Sequence, residues 1–171
     1  PVSLVRGRPH APNNACQGII MPTPATPAQG ANIVSFLQTR AGQQIDRGEC
    51  WDAAERAIQS IGARRPGSDL YVWGTVVQQA NLQPGDVLQF SNFTTRVTQA
   101  NGDWEENSFG APRHTAIVAS VNADGSVNLL HQNYGGVRTV ATLNNVFLTG
   151  GSKGGATVTI SGTVTRYRPQ L

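Results

Sequence analysis

Apolar positions follow helical spacing early in the chain and strand-like alternation later. From Ala31, the residues Ile33, Phe36 and Leu37 fall on one face and Gly42 ends the run, which predicts a helix. Between Ala53 and Ile61, Ala54, Ala57, Ile58 and Ile61 share a second face, and Gly62 supplies the stop. Cys50 therefore falls in the first turn of a second helix. Leu70–Gly74 is a short apolar segment, Leu82–Asp86 a Pro-Gly turn, and Val87–Phe90 a strand. Residues 92–113 read as a long polar, glycine-containing loop that could wall a cleft with Trp104. His114–Val121 and Ser126–Gln132 read as a hairpin about Asn122–Gly125. Residues 137–149 look like irregular strands, 150–155 a flexible glycine loop, and the Thr/Val alternation of 156–167 a closing strand. Helices first and strands afterwards indicate the α+β class.

Residues 1–30 carry no apolar periodicity. Their prolines, with Met21–Pro27 extended and polyproline-like, predict an arm ahead of a domain spanning 31–171. A chain of 171 residues is one domain's worth of core. Charged residues are only 13%, a profile that points to a secreted or cell-envelope protein. The net charge of +3 comes from scattered arginines and not from a stripe, which argues against nucleic acid and suits an anionic polymer such as a bacterial wall. No run of eighteen apolar residues exists, so no membrane span is expected. The start at Pro1 without a methionine fits removal of an upstream segment. The cysteines and the three histidines have no metal-binding spacing, so no metal and no cofactor is expected.

The candidate chemistry centres on Cys50. A helix start offers unpaired N–H groups and partial positive charge, both of which favour thiolate, the nucleophilic form. The competing reading is a structural cysteine, or a disulfide with Cys16. A tight turn at Asn122–Gly125 pairs Ala116 with His131 and sets His114 opposite Asn133, so His114, His131 and Asn133 share one face. Opposed Cβ atoms lie roughly 5 Å apart, which lets His114 act as base with His131 or Asn133 as its orienting partner.

These pieces resemble the papain-like hydrolases of the CHAP and NlpC type. The resemblance rests on Gly48–Asp52 opening a helix, Leu82–Phe90, His114–Val118, His131-Gln132-Asn133 and the terminal Tyr167-Arg168-Pro169, and it covers about residues 31–171. In CHAP enzymes an acid often precedes the asparagine by two residues, whereas a histidine there, as at His131, is the NlpC habit. The resemblance implies a papain-like fold with the cysteine helix packed on an antiparallel sheet or half-barrel. It also implies amide hydrolysis through a thioester, with catalytic Cys50, His114, His131 and Asn133. The Cys50 N–H and the Gln44 side chain would form the oxyanion hole, with Gln43 as rival donor. Trp51 and Trp104 would contact substrate. Apart from the resemblance, Asp52 reads as a first-turn charge that complements the helix dipole and can pair with Arg56. The implied substrate is a peptidoglycan stem peptide or cross-link, acted on by a monomer. Two other readings stand beside it: a non-catalytic wall-binding relative, and a thiol acyltransferase or protein-directed peptidase.

Overall fold

Thr26 and Gln29 decide where the first helix begins. The Gln29 N–H donates to the Thr26 hydroxyl at 3.3 Å, and the Thr26 N–H donates to Gln29 Oε1 at 2.9 Å, a reciprocal capping box. Pro27 takes the first helical position, where its missing N–H has no intrahelical partner to lose. In this computed structural model, which describes residues 21–171, helix α1 accordingly runs Pro27–Gln38 and starts ahead of the predicted Ala31. The predicted boundary at residue 30 thus falls inside a helix. Met21–Pro27 packs along the domain: Thr23 and Ala25 donate to the carbonyls of Leu171 and Pro169 at 3.1 and 2.8 Å. The rest of the arm, with Cys16, lies outside the described residues.

Helix α2 (Cys50–Gln59) follows, with Ala53, Ala54, Ala57 and Ile58 buried. Seven strands then form one antiparallel sheet: β1 (Thr75–Val76), β2 (Val87–Thr98), β3 (Trp104–Val121), β4 (Val127–His131), β5 (Ala141–Val146), β6 (Gly151–Lys153) and β7 (Ala156–Arg168). Their order is β1-β7-β2-β3-β4-β5, with β6 on the outer side of β7. The supposed loop 92–113 is instead the continuation of a long hairpin, paired from Phe93↔Phe109 to Thr98↔Trp104. Threonines and charged residues made it look loop-like, but its alternation buries Phe93, Thr95 and Phe109. The 150–155 loop likewise contains β6, which pairs with the start of β7. The segment 70–74 makes no strand; it seats Trp73 in the core, where Nε1 donates to Gln89 Oε1 at 3.0 Å.

The central sheet separates two cores. On one face α1 and α2 pack against Val87, Ile117, Leu130 and Tyr167. On the other, Leu88, Phe90, Phe93, Phe109, Ala116, Val118 and Leu129 form a second core. Asp86, read from sequence as a turn residue, is buried and accepts from Arg168 Nε and Nη2, both at 3.0 Å. That bond ties the entrance of β2 to the end of β7.

α1 crosses the Pro84-Gly85 turn at backbone distance. A Cβ on Gly30 would sit 2.2 Å from the Pro84 carbonyl oxygen. In an open helix Gly→Ala stabilises by about 1 kcal/mol. Here the clash reverses the sign: Gly30→Ala is expected to destabilise by about 1–3 kcal/mol, read from urea unfolding midpoints at constant m.

Candidate functional site

The loop leading into α2 is held by a side chain from the far end of β4. Gln132, fully buried, accepts the Ile45 N–H at 2.8 Å and donates to the Ile45 and Glu49 carbonyls at 3.1 and 2.9 Å. Asp52 closes the same loop by accepting the Arg47 and Glu49 N–H groups at 3.0 and 3.2 Å, and the Arg47 guanidinium at 2.6 Å. Burial opposes charge on Asp52, but Arg47 and these amides outweigh it and hold its carboxyl below the usual range. The predicted Asp52–Arg56 pair does not form, because Arg56 reaches Asp46 at 2.6 Å.

Beside the start of α2 opens a cleft of about 430 Å³, with Cys50 and Thr115 among its lining and Trp51, Leu70, Tyr71 and Arg113 along its sides. Cys50 carries a free thiol. Burial pushes that thiol up, and the Thr115 amide and hydroxyl and the Trp51 amide offset the push only in part. The expected thiolate-stabilising environment is therefore outweighed by desolvation.

Thr115 is the polar neighbour of Cys50, and its position decides where His114 can be. Adjacent residues of a strand point to opposite faces, and β3 pairs regularly with β2 from Arg113 through Ile117. Thr115 faces α2, with its hydroxyl donating to Gln89 Oε1 at 2.9 Å. His114 therefore faces away from Cys50, into the second core.

The predicted hairpin register holds: Ala116 pairs with His131, and the two imidazoles meet with ring centroids 5.4 Å apart. Aromatic rings surround the pair. Phe90, Phe109 and Tyr134 pack around His114 at 6.4, 5.8 and 5.9 Å, and Tyr134 lies 5.0 Å from His131. Nε2 of His114 and Nδ1 of His131 are buried without hydrogen-bond partners. Burial, with the His131 charge adding to it, lowers His114 to about 3; burial alone lowers His131 to about 4.

The remaining predicted residues also disperse. Asn133 adopts a left-handed backbone (φ 58°) and donates to Glu49 Oε2 at 2.7 Å, so it leaves the histidine face. Glu49 is also paired with Arg138. Gln44 donates to the Asp46 carbonyl at 3.1 Å and does not line the cleft. The rival Gln43 accepts from Val140 through its backbone. Trp51 does line the cleft, fixed by Nε1 donating to the Leu70 carbonyl at 2.8 Å. Trp104 sits at the distal end of the β2–β3 hairpin under Arg96. At about 3.3 Å per residue that is on the order of 30 Å along the strand from His114. Among the described residues no group of three or more His, Cys, Asp or Glu could hold a metal ion. Among the described residues no helix is long and apolar enough to cross a membrane.

Sequence reasoning missed Thr115, Gln132, Tyr71 and Arg113. The missing signal was which face of β3 carries the helices: an odd-numbered apolar set, Ile117 with Val87, faces α2. Two outcomes follow. Gln132→Met keeps the volume but strands three backbone groups, and should cost about 2–3 kcal/mol in urea unfolding. Below pH 6.5 the unfolded chain protonates both histidines while the folded chain does not until about pH 4 and 3. Stability should therefore fall on acidification from pH 6.5 to 4, with a slope approaching about two protons. His131→Phe should roughly halve that contribution in urea titrations across the range.

A family model described as the AIM3/BBC1 cysteine proteinase-fold domain matches residues 25–146. No curated protein and no solved structure matches the chain. The matched stretch runs from the turn before α1 to the end of β5, so both helices, Cys50, the histidine strand and Gln132 lie within it. Two helices on an antiparallel sheet, with a cysteine opening the second, agree with that description, and the chain belongs to the AIM3/BBC1 cysteine proteinase-fold domain family.

Proposed function

We propose that this domain is a binding relative of the papain-like hydrolases, holding a peptide in the Cys50 cleft without cleaving it. The observation that carries this reading is that a threonine, and not an imidazole, stands across from the sulfur. Thiol catalysis needs a base within reach of the proton. Thr115 has no basic nitrogen, and the two histidines on the other face are neutral and enclosed by aromatic rings. Burial of the thiol works in the same direction.

The cleft still suits a peptide. Trp51 and Tyr71 offer flat apolar surface at low entropic cost, while Arg113 supplies donors for carbonyl and carboxylate oxygens. The CHAP- and NlpC-like order of the motifs makes peptidoglycan stem peptides one ligand class to test, beside ordinary protein segments.

Cys50 should react with iodoacetamide more slowly at pH 7 than free cysteine, with the rate climbing above the free-thiol range near about 8.5. His114→Ala should leave that profile unchanged. Purified protein should release no new amino groups from wall peptides or unfolded protein, while Trp51→Ala should weaken peptide binding in calorimetry. Amide cleavage abolished by both Cys50→Ala and His114→Ala would overturn the proposal in favour of a cysteine amidase.

A further inference from the structure

Two separate hollows share one wall. The Cys50 cleft, about 430 Å³, and a second pocket of about 230 Å³ on the β2–β7 side are both lined by Tyr71 and Arg113. The Arg113 guanidinium lies 4.1 Å from the Tyr71 ring centroid. Stacking of this kind fixes the guanidinium plane and leaves its N–H edge free for a planar acceptor.

The neighbouring arginines are committed. Arg47 binds Asp52, Arg138 binds Glu49, and Arg65 binds Glu55. Arg113 makes no ion pair and no side-chain hydrogen bond among the described residues. Asp69, which lines the second pocket, spends Oδ1 on the Tyr71 N–H at 2.9 Å and forms no ion pair with Arg113, and Glu49, which lines the Cys50 cleft, is paired with Arg138. On the far side of the Tyr71–Arg113 ridge, Ser91, Thr163 and Thr165 line the second pocket with hydroxyls.

We propose that the ligand is an extended peptide that crosses this ridge and presents a carboxylate side chain, Asp or Glu, to Arg113. The peptide would occupy the Cys50 cleft on one side and meet the hydroxyl-lined pocket on the other. This rests on the peptide-binding reading above. A charge-assisted, bidentate carboxylate contact is selected over its amide isostere by about tenfold or more.

The test is fluorescence polarisation with extended peptide libraries in which each position is Glu or Gln. Wild-type protein should bind peptides with Glu at one position at least about tenfold more tightly than their Gln counterparts. Arg113→Gln should erase that preference, so that the variant binds Glu and Gln peptides equally, and Arg113→Glu should favour Lys at the same position. Measurable binding with equal affinity for Glu and Gln peptides overturns acid selection and leaves peptide binding standing. A preference that survives Arg113→Gln overturns the assignment to this residue. Binding of no peptide at all overturns both readings. Circular dichroism of each variant separates lost recognition from lost folding.

Discussion

The pleat of β3 is the constraint on which the site depends. Consecutive side chains on a strand cannot share a face. Once Ile117 and Thr115 are turned toward α2, His114 and Ala116 must enter the opposite core. Packing pins this choice: Val87, Ile117 and Leu130 supply apolar surface to the helices, while Leu88, Phe90, Val118 and Leu129 fill the other side. Turning β3 over would exchange those sets and bury polar groups against α2. The identity of the residue beside Cys50 is therefore set by the whole sheet and not by the local motif.

The same sheet holds the cysteine loop in place from a distance. Gln132 reaches from the end of β4 to three backbone groups of the loop. Asp52 gathers the loop from the helix side and neutralises Arg47. Together they place Cys50 at the lip of a cleft whose aromatic and cationic walls come from elsewhere: Leu70 and Tyr71 from the segment before β1, Arg113 from β3. The cleft lies within the stretch matched by the cysteine proteinase-fold domain model.

The histidines lie inside the second core. Protonating His114 would put a charge among Phe90, Phe109 and Tyr134, and protonating His131 would put one beside Tyr134. Burial favours the neutral form of both. Burial of two groups that ionise readily in the unfolded chain gives the domain an acid-sensitive core.

Much of the framework was legible in the residues. Helical spacing and Gly62 located α2, Cys50 was placed in its first turn, and the Asn122–Gly125 turn set Ala116 against His131. These are local or two-strand relations, governed by backbone periodicity and turn geometry. The β2–β3 hairpin was hidden because its threonines and charges suit a half-solvated strand as readily as a loop. Asn133 could not be read because its positive φ ends the alternation that would have kept it beside His114. By itself, then, the sequence determined that two imidazoles share a face and that a cysteine opens a helix. Only the tertiary structure decided that these lie on opposite sides of one sheet, because a strand's two faces are interchangeable until a third element packs on one of them.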